Sequence, residues 1–156
     1  MKLKELTRKN IPNIIDLEKD NAPDKPFYAK YDEKALSFIF DNPQVCKAYG
    51  LFDDGKLVGW GAYRSQWSEY NSKEEGIFEI SSIVVNKKYR RKGLGQQLLD
   101  KLFDDIKKSK DFKKIYLTVS PKNLGALLLY LKNGFEIYDF KKDVYGPGAD
   151  RLYLSH

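Results

Sequence analysis

Strand-like and helix-like patterns of apolar residues succeed one another along the whole chain. Residues 77–85 form the most strand-like segment, because β-branched residues dominate it. From 94 to 106, apolar residues recur at spacings of three and four, and polar residues fill the other positions, which predicts an amphipathic helix. Two apolar runs around Asp53-Asp54-Gly55 predict a β-hairpin.

Shorter signals predict the remaining elements. A first strand is predicted at Lys2–Leu6, followed by two helices, one capped by Asn10 and the next by Asp32. A strand at 115–119 precedes a short helix that begins at Asn123, and two final strands are predicted at 135–140 and 152–154. The short helix ends at Gly134, and its predicted apolar face comprises Ala126, Leu127, Tyr130 and Leu131. The order β, α, α, β, β, β, α, β, α, β, β indicates a mixed sheet covered by helices.

Composition narrows the class of protein. The 156 residues suit a single domain, 1–156, and 42% hydrophobic with 32% charged residues is typical of a globular chain. No apolar run is long enough to span a bilayer and the N-terminus does not resemble a signal peptide. A lone Cys46 cannot form an internal disulfide, so we predict a cytoplasmic location. The single histidine, His156, argues against a histidine triad, and we predict no metal.

The net charge of +6 fits either a polyanionic ligand or an ordinary basic surface. The positions of the cations favour a ligand, because five of them lie between the strand 77–85 and the helix that begins near Gly93. A helix N-terminus offers unpaired N–H groups and partial positive charge, and glycines at 93 and 95 let an anion approach the backbone. The alternative is a glycine-containing turn with a solvated basic run. The cations are Lys87, Lys88, Arg90, Arg91 and Lys92.

Two common phosphate-binding motifs do not fit this loop. The nucleoside-triphosphatase pattern G-x-x-x-x-G-K-S/T is absent from the sequence. The dinucleotide pattern G-x-G-x-x-G begins at Gly93 and Gly95, but Leu98 stands where the third glycine belongs. The phosphate-binding hypothesis therefore needs a different motif.

Arg90-x-x-Gly93-x-Gly95, directly after such a strand, resembles the acyl-CoA signature Gln/Arg-x-x-Gly-x-Gly/Ala of the GNAT superfamily of N-acyltransferases. Asn123, Tyr130 and the segment 133–135 extend the resemblance, and the predicted order of elements matches over nearly the whole chain. The resemblance implies an α/β (α+β) fold. Its mixed, mostly antiparallel sheet has about seven strands and about four flanking helices, and the central strand pair splays apart.

The resemblance also implies acetyl-CoA as the co-substrate and assigns its contacts. The backbone of the splayed strand is expected to bind the pantetheine arm through Ile83, Val84 and Val85, although these residues also fit a plain core strand. Asn123 is expected near the pantetheine, or as a simple helix cap. Contacts in the loop and helix start, most of them with the diphosphate, are expected from Arg90, Arg91, Lys92, Gly93, Leu94, Gly95 and Gln96.

Two residues are implied to carry the chemistry. Tyr130 matches the tyrosine that protonates the leaving thiolate, and its alternative is a buried aromatic residue. An amine must lose a proton before it attacks a thioester, and Glu79 is the predicted general base. Glu79 also fits an edge-facing or salt-bridged carboxylate. Some members of the superfamily carry a glutamate where this chain has Thr118, so the other route is a water chain relayed by Glu79 or Ser81.

The resemblance places the acceptor amine opposite the CoA arm, among aromatic residues. Glu74 and Glu75 are expected either to attract a cationic amine or to be merely solvated. Small amines and peptide N-termini both fit. The alternative function is a non-catalytic module that binds CoA or a polyanion, and the shortness of the basic run argues against nucleic acid. A homodimer is a further expectation from the resemblance. The predicted lining residues are Phe27, Tyr28, Tyr31, Trp67, Tyr70 and Tyr145.

Overall fold

A computed structural model describes residues 1–21, 31–65 and 74–156. Within these ranges, seven strands and four α-helices follow the predicted order, with short 3-10 turns at Arg8–Asn10 and Lys87–Tyr89. The strands are β1 Lys2–Glu5, β2 Cys46–Asp53, β3 Lys56–Ser65, β4 Ile77–Val85, β5 Lys114–Val119, β6 Glu136–Lys141 and β7 Arg151–Ser155. The helices are α1 Ile11–Asn21, α2 Glu33–Asp41, α3 Leu94–Ile106 and α4 Leu124–Lys132.

The seven strands form one sheet in the order β1-β2-β3-β4-β5-β7-β6. The neighbouring strands are antiparallel, except for the parallel pair β4–β5. The predicted hairpin joins β2 to β3, and its turn residues Asp54 and Gly55 have φ values of 44° and 80°. Positive φ at both positions is typical of the tight turn that matches strand twist. The predicted mixed, mostly antiparallel fold is confirmed.

The central parallel pair separates after a short stretch of pairing. Ile77, Phe78 and Glu79 of β4 pair with residues 114–116 of β5, and in the described part of the chain the ladder goes no further. Beyond that point β4 continues to Val85, whereas β5 pairs with β7 on its other side. A wedge-shaped opening therefore lies between the two strands, as the splayed pair predicts.

A bulge in β4 lies where the strands separate. Ala62 pairs with Ser82 and Tyr63 pairs with Ile80, so Ser81 is the extra residue. The Ser81 hydroxyl donates to the Ala62 carbonyl at 3.3 Å. A bulge increases the local bend of a strand, and here it directs the second half of β4 away from β5.

Helices cover both faces of the sheet because β4 is apolar on both sides. Ile80 packs in the cluster with α3, which also contains the fully buried Leu99 and Leu102. Val84 packs on the other face with Trp60 of β3 and with α1 and α2. Each fully buried large apolar side chain contributes about 1.5–3 kcal/mol to folding, so both layers fix the path of β4.

Two local predictions are wrong. Asn10 does not cap α1, because Thr7 precedes the 3-10 turn and the Asn10 amide oxygen accepts from the Thr7 N–H at 3.0 Å. The predicted apolar face of α4 includes Leu131, but this residue is 41% exposed, because Tyr130 takes the inward position. The Asp32 cap is confirmed, since its carboxylate accepts from the Ala35 N–H at 2.7 Å.

No helix in the described ranges combines the length and the apolar character needed to cross a membrane.

Candidate active site

The loop between β4 and α3 ends in backbone conformations that few residues adopt. Gly93 is the N-cap of α3 with φ 77°, and Arg91 also has a positive φ of 61°. The first intrahelical bond runs from the Gln97 N–H to the Gly93 carbonyl at 3.0 Å. The N–H groups of the residues in between, Leu94, Gly95 and Gln96, therefore point out of the helix end. Such an array of amides at a helix N-terminus suits a phosphate.

The cations of the loop surround this helix end. The side chains of Arg90, Arg91 and Lys92 are exposed, and among the described residues no carboxylate forms an ion pair with them. The Arg90 Nε donates to the Val85 carbonyl at 3.0 Å, which fixes the guanidinium beside the end of β4. The Lys92 Nζ lies 5.4 Å from the centre of the Tyr89 ring. These charges are available to a polyanion.

Asn21, at the end of α1, anchors the start of the loop. Its side chain is almost fully buried, and its amide nitrogen donates to the Val85 carbonyl at 3.3 Å. Its amide oxygen accepts from the Lys87 N–H at 3.1 Å. The sequence prediction missed this residue, although a buried amide that bridges strand and loop helps to determine where the cations lie.

The opening between β4 and β5 forms a cleft that begins close to this loop. The cleft brings together the predicted Ile83, Val84, Asn123 and Tyr130. Val85 lies at the end of β4, where Asn21 and Arg90 bind its carbonyl. The other lining residues are Glu18, Tyr31, Ile80, Ser81, Ser82, Thr118, Val119, Ser120, Ala126 and Arg151.

The backbone of β4 turns towards this cleft groups that pair with neither neighbouring strand, β3 or β5. The Asn86 N–H donates to the Val58 carbonyl on β3 at 2.8 Å. The carbonyls of Ser82 and Val84 face β3 as well, since a Cβ on the β3 glycines would lie 3.2 Å from them. Backbone direction alternates along a strand, so the N–H and carbonyl of Ile83 and the N–H of Val85 face the open edge, whereas the Val85 carbonyl accepts from Asn21 and Arg90.

Tyr130 reaches the cleft from α4. Asn123 begins this helix, and its amide oxygen accepts from the Ala126 N–H at 3.3 Å, so the predicted cap is confirmed. Tyr130 is 6% exposed and contacts Phe135 edge-on, with ring centres 5.7 Å apart. Both interpretations of Tyr130 therefore fit, because a buried aromatic residue also lines the cleft.

Glu79 is buried and forms an ion pair. Arg64 Nε donates to Glu79 Oε2 at 2.7 Å, and the two residues are opposite each other on β3 and β4. The salt-bridged arrangement that the sequence left open is therefore present. Glu79 is not among the residues that line the cleft. Its role as a general base stays a prediction.

Arg151 is buried on β7 and braces the opposite wall of the cleft. Its guanidinium donates to the Thr118 hydroxyl at 3.1 Å and to the Thr118 carbonyl at 2.9 Å. The same guanidinium lies 5.4 Å from the centre of the Tyr145 ring. Tyr145, a predicted acceptor-lining residue, is therefore beside Arg151 but is not itself among the residues that line the cleft. No sequence signal selects Arg151, because the predicted last strand begins only at Leu152, whereas β7 begins at Arg151.

Tyr31, a predicted acceptor-lining residue, lines the cleft. Its hydroxyl donates to the Ser81 carbonyl at 2.7 Å, and its ring meets Trp60 edge-on at 5.2 Å. Burial raises the pKa of Tyr31 well above its ordinary value. Glu74 and Glu75 are exposed, and Glu74 pairs with Lys113 at 3.3 Å. The predicted Phe27, Tyr28, Trp67 and Tyr70 lie outside the described residues.

Glu18 is a cleft residue that the sequence prediction missed. The Trp60 Nε1–H donates to Glu18 Oε1 at 2.8 Å. Burial raises the pKa of Glu18 to about 7, and the tryptophan hydrogen bond opposes this shift. A signal existed in the sequence: Ile11, Ile14, Glu18 and Asn21 recur at helical spacing, so two polar residues occupy the inward stripe of α1.

No group of three or more His, Cys, Asp or Glu side chains suited to a metal ion occurs in residues 1–21, 31–65 and 74–156.

Comparisons with known proteins agree on one family. The sequence model of the Acetyltransferase (GNAT) family matches residues 7–135. A spermine/spermidine N(1)-acetyltransferase of Bacillus subtilis is 29% identical over 115 residues, which cover 67% of this chain and 74% of the relative. An N-alpha-acetyltransferase of Saccharolobus solfataricus is 32% identical over 118 residues, covering 70% and 71%.

The fold resembles solved structures over its full length. The yncA protein of Salmonella typhimurium, solved with its cofactor acetyl-CoA, superposes with a TM-score of 0.81 at 15% identity. The match covers 100% of this chain and 92% of the other. At this identity the likeness concerns the fold.

Proposed function

The chain belongs to the GNAT family of acetyltransferases, and we propose that it transfers the acetyl group of acetyl-CoA to a primary amine by direct attack in a ternary complex. One observation carries this proposal. The cleft between β4 and β5 has a cationic helix N-terminus close to one end and Tyr130 inside it. A single cleft thus combines groups that would bind a diphosphate with a side chain that would donate a proton to a thiolate.

The residues of the cleft suit the parts of acetyl-CoA in order. The amides at the start of α3, with Arg90, Arg91 and Lys92, would bind the diphosphate. The open edge of β4 at Ile83 and Val85 would bind the amides of the pantetheine arm as an added strand does. Asn123 would contribute from the opposite wall.

Tyr130 is proposed as the acid of the reaction. The amine nitrogen forms a bond to the thioester carbonyl carbon, and the carbon–sulfur bond breaks. Tyr130 gives its hydroxyl proton to the departing sulfur, which makes the thiolate a better leaving group. The ammonium form of the acceptor must first lose a proton, and the sequence predicts Glu79 for this step.

A primary amine as acceptor is supported by both curated relatives. One is named for spermine and spermidine and the other for α-amino groups, and each of these substrates offers a primary amine. Tyr31 and Tyr145 lie at or beside the cleft, as an aromatic acceptor site requires. The cytoplasmic location, the single domain and the homodimer stay predictions from the sequence.

The test is release of free CoA thiol from acetyl-CoA with a panel of amines. Spermidine, free lysine and a short peptide with a free N-terminus sample the main classes, and amine-free reactions give the background. We expect amine-dependent thiol release with at least one of them. Acetyl-CoA should also raise the melting temperature, whereas an oligonucleotide should not. Binding without turnover on any amine would instead favour a non-catalytic CoA-binding module.

A further inference from the structure

Glu18 presents a carboxylate to the same cleft as Tyr130. α1 supplies it from the side of the sheet opposite to α3 and α4, so the two side chains approach the cleft from different layers. Trp60, which is fully buried, holds one carboxylate oxygen. Among the described residues, no donor lies within hydrogen-bond distance of the other oxygen, Oε2. Within those ranges, Oε2 is thus the carboxylate oxygen left for a ligand in the cleft.

The surroundings of Glu18 differ from those of Glu79. Arg64 contacts the Glu79 carboxylate directly, with its Nε 2.7 Å from Oε2. Among the described residues no cation forms an ion pair with Glu18. A desolvated carboxylate without a cationic partner holds a proton more strongly.

The other polar groups around Glu18 come from each element that borders the cleft. Tyr31 precedes α2 and donates to the Ser81 carbonyl, and Arg64 and Glu79 lie beyond it. On the far wall Arg151 is held by Thr118. The β4 hydroxyls of Ser81 and Ser82 and the Tyr130 phenol are further polar groups in the described lining of the cleft.

We infer that Glu18 accepts the proton that the acceptor ammonium must lose before it attacks, a role that rests on the proposed function. The ammonium of the acceptor gives one proton to Glu18 Oε2, and the neutral amine attacks the thioester carbon. Tyr130 protonates the sulfur as the carbon–sulfur bond breaks. The second nitrogen proton returns to Tyr130, and Glu18 releases its proton to solvent, so the cycle ends with amide, free thiol and one proton.

This assignment makes activity depend on pH near neutrality. Because burial raises the pKa of Glu18 to about 7, kcat/KM should rise as the pH increases through this value. The carboxylate is the active form, so the acidic limb of the profile belongs to Glu18. A base with an ordinary carboxyl pKa would place that limb at much lower pH.

The test is the pH profile of kcat/KM for Glu18→Gln, with the best amine of the panel as acceptor. Glutamine keeps an oxygen for the Trp60 N–H but cannot take a proton. We expect kcat/KM to fall by about 10²-fold or more and the limb near neutrality to vanish. The dissociation constant for acetyl-CoA should stay within about twofold of the wild-type value. Asp16→Asn, an exposed change on the same helix, is the matched control and should leave the profile intact.

Glu79→Gln in parallel separates the two carboxylates. If the limb near neutrality persists in Glu79→Gln and is lost in Glu18→Gln, the assignment holds. If Glu18→Gln keeps the wild-type rate and limb while the wild type turns over, the inference is wrong and the proposed function stands. If no amine supports turnover although acetyl-CoA binds, the proposed function and this inference both fall.

A readout independent of turnover is the emission of Trp60. Protonation of Glu18 weakens the acceptor of the Trp60 N–H, so tryptophan emission should titrate near neutral pH. A Trp67→Phe background removes the second tryptophan. The transition should be absent when Glu18→Gln is added. If the emission still titrates near neutral pH in Glu18→Gln, the ionising group is not the Glu18 carboxyl group.

Discussion

Gly93→Ala is the most direct test of the proposed diphosphate site, because its effect on folding stability can be worked out separately from its effect on acetyl-CoA affinity. Gly93 has φ 77°, and a Cβ built on it meets no atom within 4 Å. The cost to folding is therefore the backbone cost alone, about 1–2 kcal/mol for an L-residue in the left-handed region. For a domain of this size that corresponds to a fall in melting temperature of about 2–8 °C.

Gly55→Ala supplies the matched control. Gly55 has φ 80° and also has no atom within 4 Å of a built Cβ, but it lies in the β2–β3 hairpin. The two variants should lose similar stability, measured by thermal unfolding without ligand. Only one of them changes the helix end that we propose binds the diphosphate.

The two variants should differ in their affinity for acetyl-CoA. Relaxing φ at Gly93 turns the amides at the start of α3 away from the anion. Losing one charge-assisted hydrogen bond costs about 1.5–3 kcal/mol, so we expect affinity about 10- to 100-fold weaker by calorimetry. Gly55→Ala should bind as the wild type does. Equal losses of stability with unchanged acetyl-CoA affinity in Gly93→Ala would refute the diphosphate site.

Three further changes test the cleft. Tyr130→Phe should lower kcat by about 10²-fold or more and leave the affinity for acetyl-CoA unchanged, since only the hydroxyl group is lost. An unchanged kcat would show that Tyr130 is not the proton donor. Asn123→Ala should destabilise the protein by about 1 kcal/mol, because α4 loses its N-cap. Asn123→Asp keeps the accepting oxygen of the cap but loses the amide donor. Weaker acetyl-CoA binding by a stable Asn123→Asp variant would therefore identify a pantetheine contact. The folded-state pKa of Glu18 is raised to about 7, so ionisation of this carboxyl group destabilises the fold as pH rises from about 4.5 to 7. The free energy of unfolding of Glu18→Gln, measured with denaturant, should therefore rise relative to that of the wild type by on the order of 2 kcal/mol between about pH 5 and pH 8. A difference that stays constant with pH would contradict this environment.

Local sequence signals account for the half of the site that is proposed to bind the donor. The β-branched strand, the basic loop and Gly93 are consecutive, so their arrangement follows from one turn and one helix start. The hairpin at Asp54 and Gly55 is predictable for the same reason, because turn residues fix it locally. The wrong cap at Asn10 shows the limit of such signals: Thr7 competes for the same turn, and only the geometry decides between them.

The other half of the site depends on contacts between distant parts of the chain. Glu18 meets Trp60 across 42 residues, and Arg151 meets Thr118 across 33. A polar residue in an apolar pattern signals that a buried partner is needed, but the pattern does not say which residue supplies it. The ion pair of Glu79 with Arg64 is a second example, since a salt-bridged glutamate and a catalytic glutamate look the same in a sequence.

α1 connects the two halves of the site. Asn21 binds the Val85 carbonyl and the Lys87 N–H, and Glu18, one turn earlier, binds Trp60, which pairs with Val84 on β4. Both polar side chains of the inward stripe thus act on the same end of β4, one at the cationic loop and one at the cleft. Because a single helix carries them, a shift of α1 along β4 would move the proposed proton acceptor and the start of the loop together. The register of α1 against β4 therefore sets the distance between the place where the diphosphate is proposed to bind and the place where the amine is proposed to lose its proton.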